Sequence, residues 1–311
     1  MASELTKGGA IGEAAQTEMI KKERRANNAW HKFCRNRMAV VGLLVVVAMI
    51  GIAACAPWLA PYDPNEIHLI DALDGPLAPG EVGMSGNAYV LGTDDLGRDI
   101  LSRLMYGARL SLLVAAGSMV VGSIVGMLIG LVAGFVGGIV DSVLMRIMDG
   151  MFAFPFILLA ILLVTVLGNG STFNVILAIG ISNVPSFARL VRGQVIIAKN
   201  EEYCNAERVL GASNARLMFS HILPNVFNQA VVYATLNIGS AIISEASLSF
   251  LGLGILVPTA SWGTVLQTGR NFMTTAPWIA IAAGLCIFVT VIAFNLVGDG
   301  VRDVLDPKMK R

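Results

Sequence analysis

The sequence predicts an all-α, polytopic membrane protein with six transmembrane helices. Of its 311 residues, 55% are hydrophobic and only 14% are charged, whereas about a quarter of the residues in soluble domains are charged. The mean hydropathy is +0.71. Apolar stretches of about 20 residues, the length needed to cross a bilayer, recur along the chain. These observations favour a membrane protein over a soluble domain.

Six segments have the length and composition of a membrane span. They cover residues 38–59, 110–135, 139–167, 173–197, 226–250 and 277–297. The third is the least regular, because its first half contains Asp141, Arg146 and Asp149. Arg146 and Asp149 are three residues apart, a spacing that predicts an ion pair on a helix. We expect the three residues to form a local charge network that either anchors the span or locks an inner gate.

The distribution of Lys and Arg predicts the orientation. Residues 1–37 and the tail 302–311 are basic, and basic flanks stay in the cytoplasm, so both termini are predicted to be cytoplasmic. The transmembrane region is then 38–301, with an acidic outer loop at 61–109 and a cytoplasmic loop at 199–224. Within the N-terminal segment, 1–20 is predicted to be disordered and 21–37 to be a helix on the membrane surface.

Span 2 carries a small residue at every fourth position. On a helix such residues form one stripe that allows a second helix to approach closely. The stripe predicts a helix seam, either within the subunit or between subunits. Its members are Ser118, Gly122, Gly126, Gly130, Gly134 and Gly138.

Motifs for catalysis or metal binding are missing from the sequence. It contains no Gly-Lys pair, hence no phosphate-binding P-loop, and its three histidines are isolated from one another. No basic stripe suggests a nucleic acid. We therefore expect no catalytic residue, no metal and no cofactor on this chain. The main acid within an apolar run is Glu245. It either contacts a cationic group in transit or lies near the outer end of span 5, wetted or paired with an Arg.

The cytoplasmic loop contains the polar stretch EEYCNAERVLGASNARLMFSHILPN, residues 201–225. Its pattern predicts a short amphipathic helix that ends at Gly211. A second short helix is predicted to begin at Ser213 as N-cap and to end at Pro224, before span 5. Two short helices joined at a glycine would project into the cytoplasm.

This stretch resembles the EAA loop of the permease subunits of bacterial ATP-binding cassette importers. The triplet aligns with residues 205–207, which read Asn-Ala-Glu here, the glycine with Gly211 and the ending with Ile222-Leu223-Pro224. Further segments resemble the C-type permease of dipeptide, oligopeptide and nickel importers: LGTDDLGRDILSRLMYGARLSL, MRIMDGMFAFPFILLAI, ASLSFLGLG, SWGT and AFNLVGDGVRDVLDPK.

The resemblance implies a type I importer permease fold with a cytoplasmic coupling helix, in a bacterial inner membrane. Its implied partners are a second, homologous permease subunit, two ATP-binding subunits that hold ATP and Mg, an extracytoplasmic substrate-binding protein and membrane lipid. The residues implied to contact an ATPase are Glu202, Ala206, Glu207, Gly211, Ala212 and Pro224.

The implied solute is a di- or oligopeptide, with glutathione among the possibilities, and a nickel chelate is the alternative. A stand-alone channel or an ion-driven transporter would need a homomeric pore or two internal halves, and no convincing repeat joins 38–167 to 173–297. An intramembrane enzyme would need paired catalytic groups, which are missing from the sequence.

Overall fold

The computed structural model describes residues 30–305, and its regular elements are helices. Five of them are long and apolar enough to cross a membrane, and a bent pair adds a sixth span when it is counted as one. The predicted all-α membrane fold is therefore confirmed. The helices are α1 (Arg37–Leu59), α2 (Ile100–Val136), α3 (Gly138–Phe152), α4 (Phe156–Leu167), α5 (Thr172–Lys199), α6 (Glu202–Val209), α7 (Asn214–Phe250), α8 (Trp262–Arg270) and α9 (Pro277–Leu305).

The third predicted span is not one helix. It is divided into α3 and α4, which are bent by 95° relative to each other. Pro155 is the residue before α4, with an extended backbone. Proline has no N–H to donate and disfavours a helical conformation in the residue before it, here Phe154, so the helix ends. The prediction of a continuous span over residues 139–167 is thus wrong at its centre.

Pro224 has the opposite effect from the one predicted. Instead of ending a short helix, it lies inside α7, which runs without a break from Asn214 to Phe250. The segment Leu217–Ile222, just before the proline, is a π-helical stretch. A π turn widens the helix, and we attribute the tolerance of Pro224 to that widening, which relieves the clash with the preceding turn.

The glycine stripe of α2 packs against α5 within the subunit. A Cβ added at Gly122 would lie 2.9 Å from the carbonyl oxygen of Gly180, and the distances for the next three pairs are 2.8, 2.5 and 2.9 Å. Both helices advance four residues at each step. The predicted helix seam is confirmed from Gly122 to Gly134 as a contact between two backbones. Gly138 is not part of it, because it begins α3 and a Cβ there would meet nothing within 4 Å. The remaining pairs are Gly126 with Val184, Gly130 with Ala188, and Gly134 with Arg192.

The loop predicted to lie outside, residues 61–109, has a polar core of its own. Arg98 donates to Asp94 over 2.7 Å, and Asp99 caps the start of α2. Asp71 accepts hydrogen bonds from Ser85 and Tyr89. Burial works to raise the pKa of Asp71, but these hydrogen bonds outweigh it, so the pKa lies below its ordinary value. Burial and the bond to Asp71 raise the pKa of Tyr89 to about 12.

The N-terminal end of the described chain packs against the end of α9. Residues 30–35 are helical, and the ring of Phe33 is buried beside Gly300. The predicted disorder of residues 1–20 and most of the predicted surface helix at 21–37 lie outside the described residues.

Candidate functional site

Helix α6 packs against the first turns of α7, and Cys204 is the residue of α6 that is buried there. Cys204 is buried in an apolar cluster with Leu217, Ile222 and Val226. Asn225 also donates to the Tyr203 hydroxyl over 3.4 Å. Beyond this anchor the helix is open, because Val209 and Leu210 are 88% and 80% exposed. The end of α6 and the residue that follows it therefore present two large apolar side chains outward.

The turn after α6 is well defined by backbone hydrogen bonds. Gly211 has φ +85°, a conformation that side chains disfavour. Its N–H donates to the carbonyl of Arg208 over 3.0 Å, and the N–H of Ala212 donates to that of Glu207 over 3.0 Å. Ser213 then caps α7 by accepting from Arg216. The predicted break at Gly211 and the cap at Ser213 are confirmed. We call α6 and this turn, residues 202–213, the α6 knob.

Five of the six predicted contact residues lie on the α6 knob. Glu202, Ala206 and Gly211 are exposed, and Glu207 and Ala212 are partly buried. The carboxylate of Glu207 lies 3.9 Å from Nε2 of His221, a residue of the π stretch of α7. Pro224 lies outside the knob, inside α7, next to Asn225, whose side chain donates to Tyr203 on α6. The contacts of these six residues with a partner remain predictions.

Glu245 is at the centre of a buried polar cluster near the C-terminal end of α7. Its side chain is 0% exposed. One carboxylate oxygen accepts from Ser111 on α2 over 2.7 Å, and the other accepts from Ser249 on α7 over 2.8 Å. Ser111 also accepts from the backbone N–H of Trp262 at the start of α8, over 3.3 Å. Glu245 therefore joins three helices.

Glu245 lies near the end of α7, as one sequence-based interpretation expected, but its surroundings differ from both interpretations. The carboxylate is not wetted, and its partners are serine hydroxyls rather than an arginine. It also has no exposed surface to offer a solute. A buried carboxylate is costly unless its oxygens receive hydrogen bonds, and Ser111, 134 residues away in the chain, supplies one of them. The structure indicates a packing role.

The charges of α3 form pairs with α5 instead of with each other. Arg192 donates to both oxygens of Asp141, over 2.5 and 2.6 Å, and Arg189 donates to Asp149 over 2.6 Å. The predicted pair between Arg146 and Asp149 is therefore wrong. Sequence reasoning missed both α5 arginines, although two arginines within a predicted span were a usable signal.

A groove between α5, α7 and α9, which carries several polar side chains in a mostly apolar lining, was also missed. It has a volume of about 510 Å³, and its polar lining includes Gln194, Asn228, Gln229 and Arg302. A second cavity of about 320 Å³ shares Gln194 and Gln229 with it and continues to Tyr203 on the α6 knob. The amides at 225, 228 and 229 follow helical spacing along α7, which could have indicated a polar face.

Within residues 30–305, no group of three or more His, Cys, Asp or Glu side chains is placed to hold a metal ion. A function must explain three features of the structure. They are the α6 knob with its exposed apolar side chains, the buried carboxylate of Glu245, and the ion pairs between α3 and α5.

Comparison with known proteins places this arrangement in a family. Residues 126–311 match the family described as binding-protein-dependent transport system inner membrane component. Residues 26–79 match the N-terminal transmembrane domain of oligopeptide transport permease C.

Full-length relatives agree with the family match. The dipeptide transport system permease protein of Escherichia coli K12 is 51% identical over 282 residues, which cover 91% of this chain and 93% of that one. The di/tripeptide permease protein of Pseudomonas aeruginosa UCBPP-PA14 is 45% identical, covering 90% and 91%. The glutathione permease protein of Salmonella typhimurium LT2 is 48% identical, covering 90% of each chain. The chain belongs to the family of inner membrane components of binding-protein-dependent transport systems.

Proposed function

We propose that this chain forms half of the translocation path of an ATP-driven importer of di- and oligopeptides, glutathione included. It is paired with a second, homologous permease subunit. An extracytoplasmic binding protein delivers the solute, and two partner subunits bind ATP and Mg and hydrolyse the ATP. The lack of any Gly-Lys pair in the sequence supports this division of labour.

The observation that carries the proposal is the α6 knob. An exposed pair of large apolar side chains on a fixed helix is suited to a protein partner rather than to water. The knob is anchored to α7 by Cys204 and packed beside the ends of α2 and α5. A displacement of the knob by an ATPase would thus be passed to membrane helices. In this proposal Ala206 allows close approach, Gly211 sets the turn, and Glu202 and Glu207 pair with basic groups on the ATPase.

The solute class rests on the relatives, which are named for dipeptide, di/tripeptide and glutathione transport. None of the three is named for nickel, so the nickel-chelate alternative gains no support. A stand-alone channel or an ion-driven transporter does not fit a family defined by dependence on binding proteins.

We infer that both termini and the α6 knob are cytoplasmic and that the loop at residues 61–109 faces outward, in a bacterial inner membrane. The basic ends support this orientation. An impermeant thiol reagent applied to intact cells should label a cysteine placed at Leu73 and leave one placed at Leu210 unlabelled. The reverse pattern would invert the topology.

The Leu210→Glu variant tests coupling through the knob. Leu210 is exposed, so the subunit should fold and pair with its partner permease. A charge in the apolar contact should abolish co-purification of the ATP-binding subunits and dipeptide uptake, because the glutamate would be desolvated without a partner.

The matched control is Leu73→Glu, which introduces the same charge at a residue that is 70% exposed on the outer loop. It should retain the ATP-binding subunits. If Leu210→Glu also retains both these subunits and normal uptake, the α6 knob is not the coupling element.

A further inference from the structure

The junction of α3 and α4 lies deep in the bilayer. Helix α4 has 12 residues and so spans about 18 Å from its outer end at Leu167. The hydrocarbon core is about 30 Å thick. With Leu167 at the outer edge of the hydrocarbon core, the junction at the other end of α4 is near the middle of the core. The contacts of α3 with α5 indicate the same depth. Met148 of α3 packs in a cluster with Val184 and Ala188, which lie near the middle of α5.

Lipid cannot cover this junction. The first turn of α4 has no side-chain cap, so its leading N–H groups have no helical partner. Residues 152–155 are all exposed in the subunit. In the hydrocarbon region such backbone persists only where protein or a water-filled cavity covers it. The exposed side of the junction must therefore face either another protein surface or a water-filled cavity.

A second observation gives the same result independently. Arg189 and Asp149, the ion pair beside the junction, are 47% and 60% exposed as side chains. The guanidinium of Arg189 also lies 4.1 Å from the centre of the Phe152 ring. Charged side chains in a membrane span face the protein interior or a water-filled cavity, because contact with lipid is costly. The neighbouring pair of Arg192 and Asp141 is less open, at 35% and 17%.

We propose that Phe152, Phe154 and the Asp149–Arg189 pair form a transit site for a short peptide midway across the membrane. We call these four residues the break face. A short peptide is a zwitterion at neutral pH, so the carboxylate of Asp149 complements its ammonium group and the guanidinium of Arg189 complements its carboxylate. The exposed rings of Phe152 and Phe154 narrow the translocation path and contact the peptide side chains. The inference rests on the proposed function for the nature of the solute.

Thiol accessibility in the complete transporter, reconstituted in liposomes, tests the site. The background is a variant without the four native cysteines that still takes up dipeptide. Phe154→Cys is compared with Phe288→Cys, because the two phenylalanines are 53% and 60% exposed. Phe288 lies about 17 Å along α9 from Pro277, a similar depth. The probe is a charged, water-soluble methanethiosulfonate.

We expect Phe154→Cys to react at least about tenfold faster than Phe288→Cys, because the reactive thiolate requires water around it. Dipeptide-loaded binding protein with ATP should slow the reaction at Phe154→Cys alone. Equal, slow reaction at both positions would overturn the transit site even though uptake is intact. If neither the wild type nor the cysteine-free background takes up dipeptide, although both are assembled, the result counts against the proposed function instead.

A pair of charge variants separates contact with the solute from packing. In assembled complexes, Asp149→Asn should lower the turnover of dipeptide uptake about tenfold, roughly the loss of one charge-assisted hydrogen bond, while ATP hydrolysis continues. Asp141→Asn should lower the amount of assembled complex without changing uptake per complex. If Asp149→Asn reduces only the amount of assembled complex, the pair is structural and the proposed contact is wrong.

Discussion

The two sides of α5 are packed in different ways. On one side, α2 approaches so closely that Gly130 faces the carbonyl of Ala188, with no room for a Cβ. On the other side, α3 crosses α5 through ion pairs and leaves residues 152–155 exposed. The first side is a contact between backbones, whose atoms cannot rotate away. The second consists of long side chains that can rearrange.

This difference suggests how the subunit could move. Helices α2 and α5 are joined along four glycine contacts and should move as one body. The Glu245 cluster extends that body to α7 and α8. The α3–α4 junction has no comparable packing, so a displacement of the body would change the break face first. Four predictions test this contrast, ordered by their expected effect on stability.

Gly130→Val should have the largest effect. The added Cβ would lie 2.5 Å from the carbonyl oxygen of Ala188 and 2.9 Å from the amide nitrogen of Arg192. Overpacking against a backbone should cost about 3 kcal/mol or more, and the detergent-solubilised protein should unfold at a much lower temperature. Gly193→Val is the control, since a Cβ at Gly193 on the partner helix α5 meets nothing within 4 Å. Equal stability of the two variants would mean that the seam is loose.

Glu245→Ala should come next. It leaves the hydroxyls of Ser111 and Ser249 buried without their acceptor, at a cost of about 2 kcal/mol, measured by the same thermal unfolding. Glu245→Gln keeps one acceptor oxygen and nearly the same volume, so it should cost less than about 1 kcal/mol. If Glu245→Gln instead abolishes dipeptide uptake at unchanged stability, the carboxylate has a role in transport and the packing interpretation fails.

The sequence predicted what depends on local composition. Hydropathy located the membrane helices because each of them must be apolar over about 20 residues. It placed their ends less well: α2 begins at Ile100, ten residues before the predicted span, since Asp99 caps it outside the apolar stretch. The glycine spacing predicted the α2 seam, while its partner α5 could not be identified from that spacing alone.

Features that depend on distant residues could not be predicted. The partners of Glu245 come from α2 and α8 as well as from α7, and no local pattern contains that information. The pairing of Asp141 and Asp149 with arginines on α5 depends on how α3 crosses α5, which the bend at Pro155 determines. Pro155 and Pro224 also show the limit of a local rule. One proline ends a helix, and the other is accommodated after a π turn.

Ser111→Ala should have a smaller effect, about 1 kcal/mol. It removes the hydroxyl that donates to Glu245 and accepts from Trp262, but Ser249 still supports the carboxylate. Ser118→Ala is the control on the same helix, because the Ser118 hydroxyl donates only to the carbonyl of Ala115, one turn earlier. Thermal unfolding should separate the two variants. If they are equally stable, the hydrogen bond across helices contributes little.

Phe154→Ala should have the smallest effect on stability, within about 0.5 kcal/mol, because the ring is half exposed and packs little. Phe187, a fully buried phenylalanine on α5, provides the comparison for the loss of stability. The ring of Phe187 packs edge-on against Tyr233 with their centres 5.0 Å apart, and Phe187→Ala should cost about 3 kcal/mol or more. A large loss of stability in Phe154→Ala, measured in the complete transporter, would mean that a partner subunit packs on the ring. The open side of α5 would then be a fixed interface, and the proposed contrast between its two sides would disappear on assembly.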